Sequence, residues 1–401
     1  MLHAKTMADL ERLFAEEILI RPSDREANLV HLVQAIYSLC GVQGLPLAQP
    51  ARQLMDQIGP AQNLVFILLD GLGMNLINRL PEDSFLKSNL RGQINATCPS
   101  TTAAALTTVT TGMYPSQHGV TGWFTYLPQH GLTAMMLPFS ERGTNQPLLS
   151  RGIRPEDLLP PPLLPKMTHR PTTLVPTYIA NTPYNVYSRG GTSGQGYEKI
   201  QDAIDHVIAA VLTARTPAYV HLYLHDVDTL CHHVGVNHDS VVSLVLGIDA
   251  ELERLEEAIR GRAKMVITAD HGLIDVPKPD QSLLFAGDPL LEMLLAPPTG
   301  DARMPIFHLK EGQRRAFVEL FGQRYSDRMV LLEIDHVERM ELLGPGKIAP
   351  AVRRRFGDFI AFPYRAATVA FHPPGKPPGE VYLAVHGGLS PLEMKVPLCI
   401  V

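Results

Sequence analysis

The sequence predicts an α/β protein whose mostly parallel sheet is covered by helices on both faces, a three-layer αβα sandwich. Three observations carry this expectation. Residues 64–69 (LVFILL), 218–224 (AYVHLYL) and 264–269 (KMVITA) are strand-length runs with almost no polar alternation, as expected of strands buried on both faces. Stretches of helical apolar spacing separate them, among them Ile200, Ile204, Val207, Ile208 and Val211. Each run also stops at or shortly before an aspartate, and the C-terminal ends of parallel strands are where open α/β sheets place ligands.

In chain order, residues 7–19 and 27–40 have helical spacing and lead into the first strand. That strand breaks at Asp70-Gly71-Leu72-Gly73, where Asp70 is either a carboxylate at a functional edge or a cap for a helix over 74–80. Residues 95–119 read NATCPSTTAAALTTVTTGMYPSQHG. Ala103-Ala104-Ala105-Leu106 are strong helix formers, Pro99 and Ser100 suit a helix start, and Gly112 with Pro115 marks its stop. A hydroxyl of Thr101 or Thr102 therefore sits in the first turn of an apolar helix, where unpaired N–H groups and the helix dipole favour an anion. Alone, such hydroxyls could simply cap the helix.

Residues 122–126 (GWFTY) carry the single tryptophan. Residues 128–197 are rich in Pro, Gly and polar residues and read as a long irregular region, of the kind that often borders an enzyme site. The second strand runs into HDVDTLCHH (225–233), Asp239 or Ser240 starts a helix to 260, and the third strand ends in Asp270-His271-Gly272. Between 278 and 355 the texture changes: a turn at 297–300, strands at 304–309 and 329–334, and a helix at 312–322. This reads as a small inserted α+β cap, with the core formed by 1–277 and 356–401. A strand over 381–385 delivers His386-Gly387-Gly388, and the apolar residues 396–401 are expected at a sheet edge.

Composition narrows the function classes. With 45% apolar and 19% charged residues over 401 positions, the chain can bury a large core. A net charge of −5 and no basic stripe beyond Arg353–Arg355 argue against a nucleic-acid partner. The four cysteines, Cys40, Cys98, Cys231 and Cys399, lack CxxC spacing and suit reduced thiols. There is neither a signal-peptide pattern nor an apolar run of membrane-spanning length, so a soluble cytoplasmic protein without a membrane partner is expected.

The chemistry lies in the groups gathered at strand ends: Asp70, Asp228, His232, Asp270, His271 and His386. Carboxylates and imidazoles in this mixture suit zinc or another first-row metal, and six ligands exceed the need of one catalytic ion. Two divalent ions bring about +4 against about −3 from three carboxylates, a surplus that favours ionising a nearby hydroxyl. A helix-terminal threonine facing such a pair is a candidate nucleophile for phosphoryl transfer. Spacing leaves Asp226 competing with Asp228, His233 with His232, and Thr101 with Thr102.

FILLDGLG (66–73), the PSTT…TTGMYPSQHGV stretch (99–120), DTLCHHVG (228–235), TADHG (268–272) and HGG (386–388) together resemble the alkaline phosphatase superfamily, and within it most closely the type I phosphodiesterase/nucleotide pyrophosphatase family. The resemblance implies an alkaline-phosphatase-like sandwich and selects Thr102 over Thr101, Asp228 over Asp226 and His232 over His233. It implies two divalent ions, zinc first, with manganese or iron as alternatives. Asp228, His232 and His386 would hold one, and Asp70, Asp270, His271 and Thr102 the other. The implied activity is hydrolysis of a small phosphorylated substrate, a diester or nucleotide pyrophosphate, through a covalent phosphothreonine at Thr102. A phosphomonoesterase, a phosphonate hydrolase and an inactive phosphate-binding member are the alternatives. Two positions depart from the pattern: Cys231 replaces a glycine, and Trp123 stands where the phosphodiesterases carry a phosphate-binding asparagine. Trp123 and Tyr126 could line a pocket for the leaving group instead.

Overall fold

The computed structural model describes residues 6–375 and 382–401. Its central sheet has seven strands in the order Leu90–Asn95, Lys395–Ile400, Lys264–Thr268, Asn63–Leu69, Ala218–Leu224, Arg170–Pro176 and Ser193–Tyr197. The last five run parallel to one another, and Lys395–Ile400 runs antiparallel to both its neighbours. The two inner strands Asn63–Leu69 and Ala218–Leu224 are buried at every position, which is why they read as almost uninterrupted apolar runs. Helices Leu29–Leu39, Gln49–Ile58 and Thr102–Thr111 pack together as one group, and Ile200–Leu212 with Asp239–Ile259 as another, giving the three layers. Among the described residues, no helix is long and apolar enough to cross a membrane.

A second sheet, antiparallel throughout, has the order Met329–Glu333, Phe359–Pro363, Met304–Phe307, Thr299–Asp301, Phe124–Leu127, Leu132–Met135 and Ser140–Glu141. Gly300 pairs with Phe124, so strands from the 278–355 segment and from 124–141 close one sheet. Helix Arg314–Tyr325 covers it through Phe317, Phe321 and Tyr325, which cluster with Phe307 and Phe359.

Three readings change. The irregular region 128–197 contains two strands of the central sheet, Arg170–Pro176 and Ser193–Tyr197. The outermost, SGQGY, is Gly-rich and largely exposed, so it shows neither apolar alternation nor β-branched enrichment. The C-terminal strand is not at an edge: Leu90–Asn95, exposed over half its length and so lacking an apolar signature, covers its outer side. Of the strand expected over 381–385, Ala384–Val385 pairs antiparallel with Ile274–Asp275, while Val381 lies outside the described residues.

Candidate functional site

Asp70 directly follows the central strand Asn63–Leu69, and its N–H donates to Leu224 O at 2.8 Å, continuing the ladder to the neighbouring strand. The chain then turns at Gly71 (φ 76°), where a Cβ would meet Cα of Asp228 at 2.8 Å. That contact brings Asp70 and Asp228 together, and only glycine permits it. Thr102 is the first residue of its helix, and Thr101 before it is extended. Helix Asp226–Val234 carries Asp228 and His232, four residues apart and hence on one face. Asp270 and His271 follow the Lys264–Thr268 strand, and His386 follows the short Ala384–Val385 pair.

These side chains converge. Thr102 Oγ1 lies 3.1 Å from His271 Nε2 and 3.5 Å from both carboxylate oxygens of Asp70. His271 Nε2 is 3.4 Å from Asp70 Oδ1 and 3.3 Å from Asp270 Oδ2. On the other side, His232 Nε2 is 3.1 Å from Asp228 Oδ2, and His386 Nε2 is 3.8 Å from Asp228 Oδ1. The rings of His271 and His386 stack at 3.8 Å between centroids and join the two halves. Ligand atoms of Asp70, Asp270 and His271 form one compact group and those of Asp228, His271 and His386 another, with His232 on the outer oxygen of Asp228. Trp123 lines the cleft in front of Thr102, whereas Tyr126 packs on His308 in the second sheet with 4.6 Å between centroids.

All three imidazoles are oriented in the same way. His232 Nδ1 is 2.6 Å from Ala384 O, His271 Nδ1 3.1 Å from Gly272 O, and His386 Nδ1 3.2 Å from Ser100 O. A carbonyl only accepts, so each Nδ1 carries its hydrogen, and in the neutral ring each Nε2 presents a lone pair to the site. This is how metal-ligating histidines are held.

Electrostatics point the same way. Burial and the neighbouring carboxylates Asp270 and Asp228 push Asp70 well above the ordinary carboxylate range. Burial also raises Asp270, with His271 opposing. Burial would raise Asp228 too, but His232, His386 and His271 outweigh it and hold it low. For His232, burial is outweighed by Asp228, which lifts it above its usual value, while burial and His271 drive His386 far below. Among the described residues, Asp228 Oδ1 and Asp270 Oδ2 are buried without a hydrogen-bond partner. Three packed carboxylates, two of them with an orphaned oxygen, call for positive charge, and the donor set fits one or more divalent cations.

Several neighbours were not legible as site residues. Tyr223 donates its hydroxyl to Asp70 Oδ2. Ser100 Oγ donates to Gly388 O at 2.7 Å and accepts from Gly387 N–H at 3.2 Å, clamping the His386 loop to the segment before Thr102. Fully buried Arg303 grips Glu393 in a two-pronged pair at 2.9 and 2.7 Å, and Glu393 Oε1 accepts from Gly388 N–H at 2.7 Å. Asp301 reaches in from the second sheet and accepts from Trp123 N–H at 3.3 Å. Only the charged pair had a signal, since Arg and Glu inside otherwise apolar stretches are costly unless paired. Of the cysteines, all four are buried and free, and Cys98 packs against Met304.

Comparison with known proteins agrees with this architecture. The murine ectonucleotide pyrophosphatase/phosphodiesterase 5 structure superposes with a TM-score of 0.62 at 14% identity, covering 84% of this chain and 87% of that one. Its human counterpart gives 0.62 at 15% identity, covering 84% and 87%. Phosphonoacetate hydrolase from Sinorhizobium meliloti 1021, solved with phosphonoformate, gives 0.59 at 16% identity, covering 84% and 89%. At these identities the likeness establishes the fold. A search of curated proteins gives no significant match. The sequence profile "Type I phosphodiesterase / nucleotide pyrophosphatase" matches residues 64–376, most of the chain, and with the fold and the convergent acids and imidazoles it places the protein in that family of phosphoric ester hydrolases.

Proposed function

We propose that the protein is a two-metal hydrolase of phosphate diesters, with Thr102 as the nucleophile. The observation that carries this is the common orientation of His232, His271 and His386 toward Asp70, Asp228 and Asp270, beside the Thr102 hydroxyl. Asp228, His232 and His386 would hold one ion, and Asp70, Asp270, His271 and Thr102 the other, with zinc the best match to a mixed N/O donor set. Bound there, the ions would favour the alkoxide form of Thr102 and offset charge on the phosphoryl oxygens.

The chain's own residues supply the rest. Thr102 opens the Thr102–Thr111 helix and lines the cleft, and the unpaired N–H groups of such a first turn can hold an oxyanion. Oγ1 attacks phosphorus as the P–O bond to the leaving group breaks, forming phosphothreonine. Water then attacks that phosphorus as the P–Oγ1 bond breaks, releasing the phosphate monoester with the substituent that stayed on phosphorus and restoring the hydroxyl. Buried Asp70 and His271 lie against Oγ1. Four free, buried thiols suit a reducing compartment such as the cytoplasm.

A phosphonate or monoester substrate is the second reading, favoured by Trp123 where the phosphodiesterases have asparagine and by the likeness to phosphonoacetate hydrolase. The deciding experiment compares zinc-loaded wild type and Thr102→Ala on bis(4-nitrophenyl) phosphate and 4-nitrophenyl phosphate, with acid-quenched protein weighed for a phosphoryl adduct. Diester turnover with an adduct on Thr102, both lost in the variant, is expected. Undiminished turnover by Thr102→Ala would remove Thr102 from this role.

A further inference from the structure

The cleft before Thr102 encloses about 480 Å³, and its walls differ in chemistry from its floor. Beyond the acid and imidazole cluster it is lined by Trp123, Phe124, Tyr382 and Val385, with one further carboxylate, Asp301. Among the described residues, no lysine or arginine lines it. Arg142 approaches from behind: its guanidinium carbon sits 3.8 Å from the centroid of the Phe124 ring, it donates to Pro298 O at 2.6 Å, and it lines the neighbouring cavity. His233, the remaining imidazole of the lining, lies edge-on to Tyr382 with 6.1 Å between centroids.

Asp301 is built into this wall. Its carboxylate accepts from the Thr101 hydroxyl and from Trp123 N–H. It also packs so closely on Gly122 that any side chain there would strike Oδ2, and a Cβ on Gly387 would stand 3.1 Å from its own Cβ. Burial raises it to about 6, against those donors, which favour the ionised form. A substituent entering the cleft thus meets aromatic rings and a fixed carboxylate, and among the described residues the lining holds no guanidinium or ammonium group to neutralise a second negative charge.

Resting on the diesterase reading above, we infer that the cleft selects phosphate esters whose organic substituent is aromatic or apolar and either uncharged or cationic, that it rejects substituents bearing an additional carboxylate or phosphate, and that Asp301 is the specificity-determining residue. A cation over an aromatic face, with a carboxylate alongside, is a favourable arrangement.

The test is a matched pair of symmetric diesters, bis(4-nitrophenyl) phosphate and bis(3-carboxy-4-nitrophenyl) phosphate, so that one carboxylate must enter the cleft whichever arm binds there. The quantity read is the ratio of kcat/KM for the carboxylated over the neutral ester, in zinc-loaded wild type, Asp301→Asn and Asp301→Glu. Taking a ratio cancels any general loss from imperfect folding. Removing one like charge near a partly wetted site should raise the ratio about tenfold in Asp301→Asn. Asp301→Glu, which keeps the charge, should leave the ratio near that of wild type. An unchanged ratio in Asp301→Asn overturns the inference while leaving the hydrolase reading intact. Failure of the wild type to hydrolyse either ester overturns both.

Discussion

Tyr223 donates its hydroxyl to Oδ2 of Asp70 across two neighbouring parallel strands. The register pairs Leu68 with Tyr223, so the two-residue period of a strand puts Leu68, Asp70 and Tyr223 on one face. The phenol is buried and far above its ordinary pKa, first through burial and then through Asp70, so it remains a donor at any working pH. It occupies one oxygen of Asp70 and leaves Oδ1, the oxygen nearer His271, for a ligand. Tyr223→Phe should weaken binding of one zinc ion by about tenfold to a hundredfold with the circular dichroism unchanged. Equilibrium dialysis showing wild-type affinity would mean the bond does not orient Asp70.

Zinc binding should itself stabilise the fold, because the carboxylates it neutralises are already buried together. Chelator-treated protein should melt at a higher temperature as zinc is added, with a stabilisation of about 2.7 kcal/mol when free zinc is a hundredfold above its Kd. Asp228→Asn should blunt that rise, and a melting point indifferent to zinc would count against a resident metal.

The Arg303–Glu393 pair ties the loop after His386 to the second sheet. Arg303 also donates to Arg365 O at 2.7 Å and Ala367 O at 2.9 Å, and Ser390 Oγ donates to Glu393 at 2.6 Å, so both charges are fully satisfied. Glu393→Ala strands a buried guanidinium and should cost about 3–5 kcal/mol in urea denaturation. An Arg303→Met/Glu393→Leu double replacement should cost less than the single change. A loss below about 1 kcal/mol for Glu393→Ala would show that water replaces the carboxylate.

His118 makes stability depend on pH. Its Nδ1 accepts from Val120 N–H at 3.1 Å, and burial followed by the Arg355 charge lowers it to about 3 from an ordinary 6.5. The unfolded chain therefore takes up a proton that the folded chain refuses, and stability falls as pH drops from about 6.5 toward about 3. His118→Asn, whose amide oxygen can accept the same N–H, should make the loss between pH 7 and pH 4 smaller by about 3 kcal/mol. Identical pH profiles for the two proteins would show that His118 is protonated in the fold.

What could be read along the chain was whatever local periodicity and strand ends encode. Asn63–Leu69 and Ala218–Leu224 are buried throughout and are apolar at nearly every position, Asp70 stands where the first of them stops, and Asp270 follows the Lys264–Thr268 strand. Thr102 sits at a helix start that Ala103–Leu106 announces. Edge strands carry no such mark: SGQGY and the exposed half of Leu90–Asn95 become strands only because a neighbour offers its backbone. Pairing of distant groups was likewise set by the tertiary structure alone. Tyr223 meets Asp70 from 153 positions away, Glu393 meets Arg303 from 90, and Trp123 meets Asp301 from 178. Each contact depends on strand register and sheet order, which arise from long-range packing rather than from any local pattern. The strand ends that carry these acids and imidazoles are therefore a property of the sequence, and the groups that aim them and shape the cleft are a property of the fold.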